Sequence, residues 1–142
     1  MPPEDEKMTD KAIVYASTLG KTRKIAKYIA KELKADSFDL KKQTNINLSE
    51  YKHVIFGTGI HAGKPYRAVV DFLSNNKEQL KGKKLSLYIS CKFDDDKGRE
   101  QSKKVSGDLG IPDVFFFPGS GEKNAEGLNA SVDDFIKEMS RR

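Results

Sequence analysis

Cysteine and histidine are scarce in this sequence, and long apolar runs are absent. Cys91 is the only cysteine among 142 residues, so no internal disulfide can form, and one thiol with two histidines makes a poor structural metal site. No apolar run approaches the roughly 18 residues that a membrane-spanning helix needs. The first ten residues are acidic and contain proline, unlike a secretory signal. We therefore expect a reducing, cytoplasmic setting, a disordered leader over residues 1–10 and one domain over residues 11–142.

The charge of the chain is unevenly distributed. The net charge is +5, from 26 lysines and arginines against 21 aspartates and glutamates. The first ten residues hold four acids and one base, so the remainder carries +8. Such a field favours an acidic protein or an anionic membrane surface as partner. The sequence lacks the arginine-rich, aromatic pattern of nucleic-acid modules, so we expect no nucleic-acid partner, and it carries no signal for an oligomeric state.

Short apolar strands alternate with amphipathic helices along the rest of the chain. The patterns predict strands at Lys11–Ala16, Ser37–Leu40, His53–Phe56, Lys84–Ser90 and Val114–Phe117. They predict helices over Lys21–Ala35, from Pro65 onward, over Gly98–Leu109 and over Ala125–Met139, and the second of these would bury Tyr66, Val69, Val70 and Leu73. This alternation predicts right-handed crossovers and a three-layer α/β/α sandwich around a five-stranded parallel sheet. Ligands of such sheets bind beyond the carboxyl ends of the strands, so the loops after the first, third and fourth strands form the candidate site.

The loop after the first strand reads Ser17-Thr18-Leu19-Gly20-Lys21-Thr22. The N–H groups at the start of the following helix are unpaired, and three hydroxyls and one lysine add donors for an anion such as a phosphate. Gly20 permits tight curvature. The alternative is that these residues only cap the helix, as serine and threonine often do. A Walker A loop is excluded, because that motif needs a glycine where Tyr15 stands.

The loop after the third strand is rich in glycine and contains Gly57, Thr58, Gly59, Ile60, His61 and Gly63. Glycine lets the backbone approach a ligand closely, although glycines also mark ordinary turns at strand ends. Imidazole is a common catalytic group, but His61 has no second partner in view and is interpreted as a loop residue. The loop after the fourth strand reads Ser90-Cys91-Lys92-Phe93, and Cys91 there is interpreted as a small residue at a strand end.

The first loop resembles the S-T-T-G-N-T phosphate loop of the flavodoxin family, and it stands directly after the first strand. The resemblance implies a flavodoxin-like fold with strand order 2-1-3-4-5 and FMN as cofactor, its phosphate in this loop. Leu19 replaces a hydroxyl residue and Lys21 replaces asparagine, so the added charge would compensate for a lost donor. Gly57, Ile60 and Gly63 resemble the branch of the family that includes quinone-dependent protoporphyrinogen dehydrogenases.

The same resemblance assigns roles to the other two loops. The glycine-rich loop would border the flavin ring, with Gly57, Thr58 and Gly59 as candidates for a peptide that turns a carbonyl toward flavin N5. The loop from Ser90 to Phe93 would meet the pyrimidine end with backbone donors. Phe93 could stack on the ring or lie on the surface, and Lys92 could stabilise the charge of the reduced cofactor.

Two functions fit this resemblance. The first is an electron carrier in which FMN does the chemistry and the protein recognises a redox partner with an acidic docking face. The second is a flavin-dependent enzyme that oxidises a reduced tetrapyrrole with quinone as acceptor, but the long insertion of that branch is missing after Phe117. A response-regulator receiver is excluded, because Ala16-Ser17 and Gly57-Thr58 stand where its acidic residues would be.

Overall fold

The computed structural model describes residues 10–16, 21–61, 64–65, 67–91, 96–118, 123–124 and 127–141. The elements in chain order are β1 (Lys11–Tyr15), α1 (Lys21–Leu33), β2 (Asp36–Asp39), β3 (His53–His61), β4 (Lys64–Pro65), α2 (Arg67–Asn75), α3 (Lys77–Leu80), β5 (Lys84–Cys91), α4 (Asp96–Leu109), β6 (Val114–Pro118) and α5 (Ser131–Ser140). None of these helices is long and apolar enough to cross a membrane.

Five parallel strands form the sheet in the order β2-β1-β3-β5-β6, and β4 pairs antiparallel with β3 alone. Counted without β4, the order is 2-1-3-4-5, so the predicted fold class and strand order are confirmed. Parallel strands need crossover connections. Helices supply these crossovers after β1, β3 and β5, whereas the connection from β2 to β3 has no helix.

The two faces of the sheet are covered by different helices. Side chains of a strand alternate between faces, so Ala12 and Val14 of β1 point one way while Ile13 and Tyr15 point the other. The first pair belongs to a core cluster with α2, α3 and α4, and the second to a cluster with α1 and α5. Strands covered on both faces must be apolar at nearly every position, which explains their short continuous apolar runs.

Helix α1 follows its sequence pattern closely. Ile25 and Ile29 are almost completely buried against the sheet, and Ala26 and Ala30 beside them allow the helix to lie close to the strands. The helix ends at Leu33, after which Lys34 takes a left-handed conformation with φ 56°. A reversal of this kind ends helices by satisfying their last carbonyl groups, and Ala35 accordingly donates its N–H to the Ala30 carbonyl oxygen at 2.9 Å.

The segment between β2 and β3 contains neither helix nor strand, but it contributes to the core. Its side chains Ile46, Leu48 and Tyr51 are buried. Its backbone is held from α3, where the Gln79 side chain accepts the Leu48 N–H and donates to the Ile46 carbonyl oxygen at 3.0 Å. Helix α3 was not predicted from the sequence, because four residues are too few to show a helical period.

Several predicted boundaries are wrong. β3 does not end at Gly57 but continues to His61, because its backbone pairs with β5 as far as Gly59 and then turns into β4. Pro65 lies in β4 opposite Ile60 and not in the first turn of a helix. The last helix begins at Ser131, six residues after the predicted start at Ala125.

Helix α2 also buries a different face from the one predicted. It begins at Arg67, and its buried residues are Val69 and Phe72. Val70, predicted to face inward, is 37% exposed and is the one exposed large apolar side chain in the described part of the chain. Tyr66, also predicted to face inward, lies outside the described residues. The sequence pattern failed here because three apolar residues in a row, from position 68 to 70, fit more than one helical face.

Candidate functional site

The strand order reverses at the carboxyl edge of the sheet. From β1 the chain crosses through α1 outward to β2, and from β3 it crosses through α2 in the opposite direction to β5. Because α1 and α2 lie on opposite faces of the sheet, the carboxyl ends of β1 and β3 are where a sheet of this topology forms its ligand crevice. The residues that end the three strands bordering this crevice are Tyr15, His61 and Cys91.

The amino end of α1 points into this edge and has an unusual sequence. Lys21, Arg23 and Lys24 belong to its first turn, which holds no acidic residue. Positive side chains are unfavourable there, because the free N–H groups already give a helix amino end a partial positive charge. A bound anion removes that conflict and satisfies the N–H groups as well. The local charge therefore fits a phosphate site.

One cation of this turn is held by a carboxylate. Arg23 Nη2 lies 3.5 Å from Oδ2 of Asp39, whose side chain is only 6% exposed, and Asp39 Oδ1 accepts the N–H of Lys41 at 3.0 Å. Burial raises the pKa of Tyr15, as does the Asp39 charge, while the charge of Arg23 and its hydrogen bond to Tyr15 act in the opposite direction. Asp39 thus orients Arg23, and no other acid of the described residues forms an ion pair with this turn.

Sequence reasoning missed the residues Tyr15, Arg23 and Asp39 as members of this edge. The signal was present in part, because Asp39 ends β2 and Tyr15 ends β1, and the two are register partners in the parallel pair. It could not be used before the alignment of the two strands was known, since a shift of one residue would turn Asp39 to the other face of the sheet.

The structure places Gly57, Thr58 and Gly59 inside β3 and not in a loop. Gly57 pairs with Tyr15 on one side and Tyr88 on the other. Thr58 is fully buried and donates its hydroxyl to the Gly59 carbonyl oxygen at 2.9 Å. The predicted loop position of these three residues is therefore wrong, and their predicted contact with a flavin stays a prediction.

The packing around position 57 explains why the residue there is a glycine. A Cβ at this position would lie 2.8 Å from Cε1 of Tyr88 and closer still to Cζ and Oη, well inside van der Waals contact. The Tyr88 ring fills that space and stacks on Phe117 with 5.3 Å between ring centroids. Its hydroxyl is buried without a hydrogen-bond partner in the described part of the chain, and burial together with the nearby Tyr15 raises the pKa of Tyr88.

The other predicted site residues lie at the ends of the strands or outside the described residues. Ile60 and His61 end β3, Cys91 ends β5, and Ser90 is the register partner of Gly59. The backbone of Lys21 and Thr22 begins α1. Ser17, Thr18, Leu19, Gly20, Gly63, Lys92 and Phe93 lie outside the described residues.

Comparison with known proteins decides the family. Residues 12–137 match the family model described as "Flavodoxin domain". This chain belongs to the flavodoxin domain family. The resemblance seen in the first loop is thereby confirmed at the level of the family.

Solved structures with low identity share the fold of this flavodoxin domain. Flavodoxin 2 of Bacillus cereus matches 94% of this chain and 99% of its own length with a TM-score of 0.70 and 18% identity. The Fusobacterium nucleatum flavodoxin bound to flavin mononucleotide matches 94% of this chain and 98% of its own length, with a TM-score of 0.62 and 15% identity. The rubredoxin oxygen:oxidoreductase of the anaerobe Desulfovibrio gigas matches 96% of this chain but only 36% of its own length, with a TM-score of 0.64 and 17% identity.

One curated relative is more similar in sequence. An uncharacterized protein of Methanocaldococcus jannaschii is 35% identical to this flavodoxin domain over 82 residues, which are 57% of this chain and 53% of that protein. The match therefore spans about half the length of the relative.

Proposed function

We propose that this flavodoxin domain binds FMN and transfers electrons to and from a protein partner in the cytoplasm. The observation that carries the proposal is the amino end of α1, which lies where the strand order reverses and has three cations and no acid in its first turn. Flavodoxins with this strand order bind FMN at the same reversal. Membership of the family and the fold shared with a flavodoxin bound to flavin mononucleotide support the same cofactor.

The phosphate of FMN would be held by the loop between β1 and α1. Lys21 and Thr22 begin the helix whose free N–H groups face this loop, and the lysine brings a full positive charge to the turn. The other proposed phosphate-binding residues, known here from the sequence, are Ser17, Thr18, Leu19 and Gly20. Arg23 would contribute to the field of the site from its ion pair with Asp39 and not by direct contact.

The flavin ring would lie at the ends of β3 and β5. Gly59 and Ser90 are register partners on the last paired row of these strands, so we place the ring beside the residues that come after this row in each segment. On the β3 side these are Ile60, His61 and Gly63, and on the β5 side Cys91, Lys92 and Phe93. Bound FMN supplies reversible electron transfer. The contribution of this chain is to fix the ring against these two strand ends and, through Lys92, to favour its reduced, negatively charged form.

The charge of the domain indicates the kind of partner. Beyond the first ten residues the chain carries +8. Electron-transfer partners associate rapidly when their potentials are complementary, so an acidic docking face on the partner fits this domain. An anionic membrane surface is a second contact that the same charge would favour.

The test compares FMN with riboflavin, which lacks the phosphate. Purified protein freed of flavin is titrated with each ligand, and binding is followed by flavin fluorescence and absorption. We expect FMN to bind well and Lys21→Gln to weaken FMN binding by roughly tenfold to one-hundredfold, since one charge-assisted contact contributes about 1.5–3 kcal/mol. Riboflavin binding should be unchanged by the same substitution.

Lys31→Gln is the matched control for this test. Lys31 lies in the last turn of the same helix and loses the same charge, but at the opposite end from the loop. If Lys31→Gln weakens FMN binding as strongly as Lys21→Gln, the phosphate does not lie at the α1 amino end. Failure of the parent protein to prefer FMN over riboflavin would reject the proposed cofactor site altogether.

A further inference from the structure

An open groove lies at the opposite edge of the domain from the proposed FMN site. It is formed by the carboxyl end of α2, by α3, by the start of β5 and by the end of α4. Its volume is about 450 Å³. The aliphatic side chains that line it are Val70, Leu73, Leu80, Leu85 and Leu109. The groove is thus apolar and lies at the amino ends of the strands.

Val70 adds apolar surface to the mouth of the groove. Val70 is 37% exposed, although Val69 and Phe72 of the same helix are buried. A β-branched residue on an exposed helix position adds little to helix stability and leaves apolar surface in water. The described part of the chain leaves that surface open to solvent at the mouth of the groove.

Two of the three charged residues that line the groove are lysines. Lys77 makes no ion pair with any described residue, and Lys81 is paired only with Glu78 at 3.7 Å, where both side chains are more than three-quarters exposed. Asp108 is the one carboxylate among the described residues that line the groove. Exposed ammonium groups beside an apolar groove complement carboxylates on the flank of an apolar stripe.

We propose that this groove binds an acidic amphipathic helix of a partner protein. Two neighbouring helices, α2 and α4, form its walls, which is the usual setting for a helix that lays its apolar face into a groove. A concave surface receives protruding side chains, whereas insertion into a lipid bilayer requires apolar side chains that protrude from the protein. The observations therefore favour a protein segment over a membrane. Since the groove lies away from the carboxyl edge, its occupant leaves the proposed FMN site open, and the inference does not depend on FMN binding.

The test uses a defined probe and the full chain. The probe is a fluorescent helical peptide with leucines at positions i, i+3, i+4 and i+7 and glutamates between them, and a second peptide has lysines in place of the glutamates. We expect only the acidic peptide to bind. It should shift the methyl NMR signals of Val70, Leu73 and Leu109 and leave those of Val132 and Ile25 on the other face unchanged.

Substitutions of charged and of apolar groove residues then distinguish binding at the groove from attraction by the overall charge of the domain. Lys77→Glu/Lys81→Glu should weaken binding of the acidic peptide by roughly tenfold or more, and Val70→Ser should weaken it several-fold with little change in its salt dependence. Lys27→Glu/Lys31→Glu is the control, because these lysines are also exposed and four residues apart, on α1. All these positions are on the surface, so thermal unfolding should stay close to that of the parent.

Three results would overturn the proposal. Equal weakening by the α1 control would mean attraction by overall charge. Binding of phosphatidylserine vesicles that depends on Lys77 and Lys81, without binding of the peptide, would assign the surface to a membrane. Peptide binding that appears only after deletion of residues 1–9, which contain three acids, would mean that the groove is a site for the chain's own leader.

Discussion

The contact between Gly57 and Tyr88 shows how the position of a single residue can be misjudged from sequence. A glycine after an apolar strand predicted a loop, but Gly57 lies within the sheet, where its missing side chain makes room for a buried ring. Sequence reasoning can find such glycines but cannot tell which neighbour they accommodate, because the neighbour lies on another strand. Tyr88 is 31 positions away along the chain.

Gly57→Ala should therefore destabilise the protein strongly. The new methyl group would overlap the Tyr88 ring, and that ring cannot move away because Phe117 and Phe135 pack against it. We expect a loss of about 3 kcal/mol in the free energy of unfolding, measured with urea. Gly107→Ala, on the exposed face of α4 with nothing within 4 Å, is the control and should gain about 0.5–1 kcal/mol. Equal effects of the two substitutions would show that Gly57 has no special packing role.

At the scale of elements, the main helices and strands could be predicted and the short ones could not. β1, α1 and β6 lie within one or two residues of their predicted bounds, because several apolar side chains repeat in each. α3 and β4 are too short for a repeat and exist through contacts distant in sequence or across a turn. The candidate site follows the same division. The strands whose ends border it, β1, β3 and β5, could be predicted, whereas the Arg23–Asp39 pair depends on strand register.

Gln79 gives a test of how α3 stabilises the segment before β3. Its amide accepts from Leu48 and donates to the Ile46 carbonyl oxygen, and Leu48 is fully buried. Gln79→Ala should lower the free energy of unfolding by about 2 kcal/mol, because two backbone groups lose their partner. Glu78→Ala, the exposed neighbour on the same short helix, should change it by less than about 0.5 kcal/mol. A result within that smaller range for Gln79→Ala would contradict the assigned role.

At the scale of the whole molecule, buried tyrosines determine how the stability of the fold changes at high pH. Burial raises the pKa of Tyr15, Tyr51 and Tyr88 in the folded state, and in Tyr51 the hydrogen bond to Asp36 adds to the effect. In the unfolded chain a tyrosine keeps its ordinary pKa of about 10. The unfolded state therefore releases protons first, and stability that is complete below about pH 10 is lost as the pH rises above that value.

Tyr88→Phe tests this account. The substitution removes a buried hydroxyl that has no hydrogen-bond partner in the described part of the chain, so at pH 7 it should raise the free energy of unfolding by about 1 kcal/mol. Above about pH 10 its advantage over the parent should widen, because one group that ionises only on unfolding is gone. Urea unfolding at about pH 7, 9, 10.5 and 11.5 measures both effects. A difference that stays constant across the alkaline range would show that Tyr88 does not contribute to alkaline unfolding.

The pairing of α1 with α5 on one face also has a consequence for synthesis of the protein. Ile25 and Ile29 of α1 share a core cluster with Val132, Phe135 and Met139 of α5. Ribosomes make the amino end first, so α1 leaves the exit tunnel long before the helix that packs beside it. The core on this face can form completely only after α5 has been made. A nascent or truncated chain without α5 would expose the apolar side chains of α1, and chaperones and proteases would bind the chain there.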